Sequence, residues 1–220
     1  ASAGADFVKF QKRNPDVCVP ESQKNILRDT PWGKLKYIDY KKKIEFGREE
    51  YQFLCDVAQK NDIELFFSVW DRDSLEFVLN FDSDYIKIPS ALCTDTTLIK
   101  KAKESGRIII ISTGMTEWND ILNITNIFHD RPNQLILMHC VSEYPPSNSY
   151  LGTINELKKI HNRIGYSSHD VGNEIPLSTL LLDIEMIEKH VTLDRKMWGS
   201  DHHISSNMDE LRLLVKYKNI

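Results

Sequence analysis

Apolar residues along the chain gather into short, nearly unbroken runs separated by stretches of helical spacing. The most continuous run, residues 107–112, reads Arg-Ile-Ile-Ile-Ile-Ser, which is what a parallel strand covered on both faces requires. Six others share its character: residues 6–10, 63–68, 84–89, 134–139, 163–167 and 184–190. Between them the spacing predicts helices. One covers 47–60, with Phe46, Tyr51, Leu54, Cys55 and Ala58 on one side. A short one is capped by Asp71 or Asp73, and one over 97–105 is ended by Gly106. Further helices are predicted over 117–128, 154–161, 173–182 and 208–217.

Regular alternation of strand and helix, at about 25 residues per unit, implies right-handed crossovers and a parallel sheet. Seven strands are one short of the eight that close a (β/α)8 TIM barrel, so the expected fold is such a barrel with its first βα unit absent. A doubly wound open sheet would want a glycine-rich phosphate turn after the first strand, where this chain has Phe10-Gln11-Lys12. The long polar connection that follows contains Thr30-Pro31-Trp32-Gly33 and is expected to be a functional loop. No linker divides residues 1–220, so one domain is expected.

Composition narrows the function by exclusion. A net charge of −4 from 28 basic and 32 acidic residues, intermingled, gives no footprint for nucleic acid. Lys41-Lys42-Lys43 is expected to be a solvated face, and Asn123-Ile124-Thr125 part of a helix. Cys18, Cys55, Cys93 and Cys140 form no C-x-x-C pair, against a zinc ribbon or a disulfide framework. A cytoplasmic setting is expected, with no membrane span and no signal pattern in the sequence.

The chemistry lies where the apolar runs stop. They end in Lys9 and Gln11, Ser68, Lys87 and Ser90, Ser112 and Thr113, His139, Ser167 and His169, and Glu188 and His190. Any one of these could be a polar side chain satisfied at a strand end. In a barrel, however, strand C-termini converge on one mouth, and all seven would then surround one pocket. A lysine inside an apolar strand is costly without an anion to meet it, and histidines on neighbouring strand ends suggest a metal.

These residues carry a family resemblance. Lys9-Phe10-Gln11, Lys87-Ile88-Pro89-Ser90-Ala91, Ser112-Thr113-Gly114-Met115, His139-Cys140 through Tyr144-Pro145, Gly165-Tyr166-Ser167-Ser168-His169, and Glu188-Lys189-His190 through Asp194-Arg195 occur in an order and spacing that resembles the sialic acid (N-acetylneuraminate) synthases and their relatives. The resemblance implies a barrel that condenses phosphoenolpyruvate with an N-acetylated hexose, using a divalent metal and releasing phosphate. Lys9 and Lys87 would supply positive charge for phosphoenolpyruvate, and Ser90, Ser112 and Ser167 hydrogen-bond donors. Gln11 and Tyr144 are placed to contact one of the substrates. His169 and His190 would hold the metal, with water and substrate completing its shell, which suits Mn²⁺ and leaves Mg²⁺, Co²⁺ or Zn²⁺ open. Asp201, in Trp198-Gly199-Ser200-Asp201-His202, and Glu188 are candidates for acid–base work alongside His190; Glu188 could equally orient His190. His202 and His203 are expected to be loop residues.

Three positions depart from the family pattern: Leu92 where many members carry an acidic residue for the sugar, Ser168 for an aspartate, and Ser142 for an asparagine. A preceding strand and helix and a small C-terminal domain, both features of the family, are expected to be missing, making the chain a fragment with an open seven-stranded barrel. The family's dimers imply a homodimer for a longer protein. A metal-dependent barrel epimerase or hydrolase, or an inactive fragment, are the alternatives.

Overall fold

The computed structural model describes residues 1–218. Seven strands form one parallel sheet in the order β1 (Phe7–Lys12), β4 (Glu64–Val69), β5 (Tyr85–Ile88), β6 (Ile108–Ser112), β7 (Leu135–Cys140), β8 (Ile164–Ser168) and β9 (Met186–Lys189). Between β1 and β4 in the chain, β2 (Leu27–Thr30) and β3 (Gly33–Lys36) make a separate antiparallel hairpin. Each expected run is a strand, and the first extends two residues further than its apolar pattern, to Lys12.

The connection between β1 and β4, expected to be a functional loop, carries elements of its own. It folds as α1 (Pro15–Cys18), α2 (Glu21–Lys24), the β2–β3 hairpin and α3 (Tyr37–Ile44), leading into α4 (Arg48–Lys60). The crossovers after β4 carry α5 (Arg72–Val78), α6 (Thr96–Glu104), α7 (Trp118–Ile127), α8 (Gly152–Lys158) and α9 (Glu174–Thr179), and α10 (Met208–Lys216) follows β9. Of the two aspartates proposed as cap for the short helix, Asp71 does the work: its carboxylate accepts from the Ser74 backbone N–H. None of these helices is long and apolar enough to cross a membrane.

The sheet is curled, not flat. Lys87 on the third strand in order bonds Glu188 on the seventh, at 2.9 Å. Four interstrand steps of about 4.8 Å would hold them about 19 Å apart in a flat sheet. The structure is therefore a seven-stranded partial barrel, and β1 and β9 are not hydrogen-bonded to one another.

Alternation along each strand divides the side chains between two cores. The outer face buries Phe67, Val69, Ile86, Ile88, Ile109, Ile111, Leu135 and Leu137 against the helices. The inner face buries Phe66, Ile110, Ile136 and Met138, with Phe7, Tyr85, Ile108 and Met186 beside them. That apolar plug fills the N-terminal end of the curl. Register then places Gln11 beside Ser68 and Ser68 beside Lys87, and Cys140 beside Ser167 and Ser167 beside Glu188, on the same inner face nearer the C-terminal end.

Candidate active site

Above the plug, one carboxylate organises the inner wall. Glu188 accepts from the Lys87 ammonium at 2.9 and 3.0 Å and from the Ser167 hydroxyl at 2.9 Å, and the Lys9 ammonium lies 2.9 Å from Oε2. Burial alone would raise the carboxyl pKa, but Lys87 and Lys9 outweigh it and hold Glu188 well below the usual carboxylate range. Burial draws Lys87 below its ordinary value, with Glu188 opposing. Glu188 is thus an ionised anchor for two lysines. It makes no hydrogen bond to His190 among the described residues, which corrects the expectation that it orients that ring, and its suppressed pKa makes it a poor proton donor at neutral pH.

Two cations and one anion in contact leave a net positive wall, and next to it a donor is unused. Ser112 is 3% exposed and its hydroxyl has no hydrogen-bond partner among the described residues. Its neighbour Ser90 is already engaged, its hydroxyl accepting from the Gly114 N–H at 3.0 Å. Gly114 has to be glycine for this turn to close, since a Cβ there would sit 2.6 Å from Ser142 Oγ and 2.9 Å from the Cys140 carbonyl.

The two histidines stand at the ends of β8 and β9, with ring centroids 5.5 Å apart. His169 Nδ1 is 2.7 Å from the Val141 carbonyl, which fixes the tautomer with Nδ1 as donor and leaves Nε2 as a lone-pair donor. Burial keeps its pKa below the ordinary value. Burial, reinforced by the nearby Lys9 ammonium, pushes His190 down to about 4. Both rings are neutral at physiological pH, the state that binds metal ions. A neutral imidazole whose other nitrogen donates to a backbone carbonyl is the usual dress of a metal-ligating histidine, so the donor chemistry fits a borderline divalent ion. Among the described residues no third His, Cys, Asp or Glu joins them in a ready-made cluster.

Around this pair sit the remaining expected residues. Tyr144 stacks on His169 with centroids 3.9 Å apart and lies edge-on to His190. Asp201 Oδ2 is 3.9 Å from His190 Nδ1. His202 and His203 serve the loop, His202 Nδ1 lying 2.7 Å from the Thr192 hydroxyl and His203 Nε2 3.2 Å from the Tyr144 carbonyl.

The expected mouth residues do not all turn inward. His139 faces the helices, where Nε2 donates to the Ser149 carbonyl at 2.7 Å and the ring stacks on Tyr166. Gln11 is on the inner face but exposed, and its backbone carbonyl accepts from the Tyr51 hydroxyl at 2.8 Å. The reverse case is Cys140, not among the expected site residues yet buried beside Ser167, with Sγ 3.9 Å from His169 Nδ1. Burial raises its pKa, so it is a neutral thiol. Its signal was parity: Cys140 falls in step with Ile136 and Met138, whereas His139 falls in step with Leu137.

Comparison with known proteins places the chain in a family. The model of the NeuB family matches residues 1–219. An N-acetylneuraminate-9-phosphate synthase of Drosophila melanogaster is 33% identical over 97% of this chain and 59% of its own length. An N,N'-diacetyllegionaminic acid synthase of Campylobacter jejuni is 31% identical over 97% of this chain and 66% of its own length. The chain thus spans about three fifths of the length of the curated relatives it matches. Among solved structures, an N-acetylneuraminic acid synthetase of Leptospira borgpetersenii, in complex with citrate, superposes with a TM-score of 0.88 at 33% identity, covering 99% of this chain and 73% of that one. A 3-deoxy-D-arabino-heptulosonate 7-phosphate synthase of Thermotoga maritima, at 16% identity and TM-score 0.68 over 78% of this chain and 70% of that one, shares the fold. A match that runs through every strand of the curled sheet and both histidine-bearing ends identifies the lineage: this chain belongs to the NeuB family.

Proposed function

We propose that residues 1–220 form the catalytic barrel of a nonulosonic acid synthase, which joins phosphoenolpyruvate to an N-acetylated hexose and releases phosphate. The observation that carries this reading is the wall itself: two inward lysines on one buried carboxylate, an unpartnered buried serine hydroxyl, and two neutral histidines directly above. Phosphoenolpyruvate carries a carboxylate and a phosphate, and needs fixed cations with hydroxyl donors and water held away.

In this reading Lys87, Lys9 and Ser112 bind the anionic groups, while Glu188 holds both ammoniums in place and Ser167 steadies Glu188. Neither lysine needs to move far to exchange part of its carboxylate contact for a ligand oxygen. Ser90 shapes the same wall through Gly114. His169 and His190 would hold a divalent metal, Mn²⁺ by the two-imidazole donor set with Mg²⁺, Co²⁺ or Zn²⁺ as alternatives, and the ion would supply Lewis acidity toward the sugar aldehyde. The C3 carbon of phosphoenolpyruvate forms a bond to the aldehyde carbon, whose oxygen takes up a proton. Water adds to the resulting cationic C2 and loses one proton; the C2–O bond to phosphate then breaks, the remaining hydroxyl proton leaving with the phosphate, to give the 2-keto acid. Asp201, beside His190 at the rim, is the group we assign to proton transfer, and Tyr144 closes one side over the acceptor.

The test is phosphate release from phosphoenolpyruvate in the presence of Mn²⁺, assayed against a panel of N-acetylated hexoses. Release that depends on both sugar and metal is the expected result, and its absence in a chain extended to the relatives' full length would overturn the proposal. Lys87→Ala should abolish saturable phosphoenolpyruvate binding; normal binding would remove the main anion anchor.

A further inference from the structure

Behind His169, on the helix-facing side of the sheet, lies a second buried carboxylate with no part in the mouth. Asp170 is 6% exposed. Its carboxylate accepts from the hydroxyls of Ser149, Tyr166 and Ser168, the last at 2.8 Å, and its backbone N–H donates to Ser168 Oγ at 3.2 Å. The Lys189 ammonium donates to the Asp170 backbone carbonyl and lies 3.4 Å from Ser168 Oγ. These partners come from three successive places: the loop after β7, strand β8, and strand β9.

The loop after β7 reaches His169 twice, through the Val141 carbonyl on Nδ1 at 2.7 Å and the Tyr144 ring stacked at 3.9 Å. Its far end is Ser149, gripped by Asp170 through the hydroxyl and by His139 through the carbonyl. Asp170 therefore holds both the backbone next to His169 and the loop that clamps its ring. A buried carboxylate is expensive to desolvate, and a well-packed apolar residue would serve mere stability as well.

We propose that Asp170 is a positioning residue that fixes the orientation of His169 Nε2 by tying the β7 loop to the ends of β8 and β9. This rests on His169 being a metal ligand, and the test separates the two. The probe is Mn²⁺ itself, titrated into the 220-residue chain and followed by the electron paramagnetic resonance signal of the free ion, with a thermal melt to establish folding. Wild type should bind. Asp170→Asn, which keeps size but loses acceptor capacity, should bind about 10- to 100-fold more weakly, the range seen when groups supporting metal ligands are removed. Ser149→Ala, which leaves the carboxylate and cuts only the tie to the loop, should weaken binding in the same direction by less. A cooperatively melting Asp170→Asn with wild-type affinity would overturn the proposal. Should Asp170→Asn fail to fold, wild-type affinity in Ser149→Ala would overturn it instead. No Mn²⁺ binding by wild type would overturn the metal reading, and this inference with it.

Discussion

Glu188 shows how much one side chain can decide. It is the common partner of Lys87, Lys9 and Ser167, and each of these comes from a different strand. Removing one partner of a buried pair leaves a charge uncompensated, so Lys87→Met should destabilise the fold by about 3 kcal/mol. Adding Glu188→Gln should recover part of that loss, measured as a double-mutant cycle by urea denaturation. Asp201 belongs to a different kind of test. If it transfers a proton, Asp201→Asn should lower kcat by about 10²–10⁴-fold and leave the KM for phosphoenolpyruvate nearly unchanged. The histidines predict a pH response. Both have folded pKa values below the ordinary 6.5, His190 about 4, so the unfolded chain takes up protons in that window that the folded chain refuses. Stability should be fully present above about pH 6.5 and fall as the pH drops toward 4, seen as a declining melting temperature. A flat profile across that window would contradict the burial of His169 and the partial burial of His190.

Among elements, the seven sheet strands were legible because a strand covered on both faces must be apolar almost throughout, as in β6. The excursion between β1 and β4 was not, and the reason is physical. Leu27-Arg28-Asp29-Thr30 buries neither face and α3 buries no residue, so neither carries the alternation that would announce it. Residue types at strand ends made the lysines and histidines of the site legible. What they bond to was not, because the meeting of Lys87 with Glu188 depends on the curl of the sheet, and the outward turn of His139 on a single step of parity. Gly165 tests how tightly that curl is packed. It faces inward on β8, where a Cβ would meet Met138 Sδ at 2.4 Å and the Met186 carbonyl at 2.7 Å. Gly165→Ala should therefore overpack the plug and cost about 1–3 kcal/mol by chemical denaturation.

For the molecule as a whole, stability should be graded across the sheet. The core strands β6 and β7 are almost wholly buried, whereas β1 and β9 are half-buried and each pairs with one neighbour. Amide hydrogen exchange should be slowest in β6 and β7 and fastest in β1 and β9. Uniform protection would mean that the two outer strands are better supported than their pairing implies. The interior also has a direction. Its floor is the plug of Phe66, Ile110, Ile136 and Met138, Lys87 above it is 1% exposed, and Tyr144 near the rim is 46% exposed. A cup with a closed floor fills from the bottom. Whatever anchors at Lys87 has to arrive before anything settles over His169 and Tyr144, and it has to leave after. Under the proposed chemistry, steady-state kinetics should accordingly follow a compulsory order, with phosphoenolpyruvate first on and the sugar second.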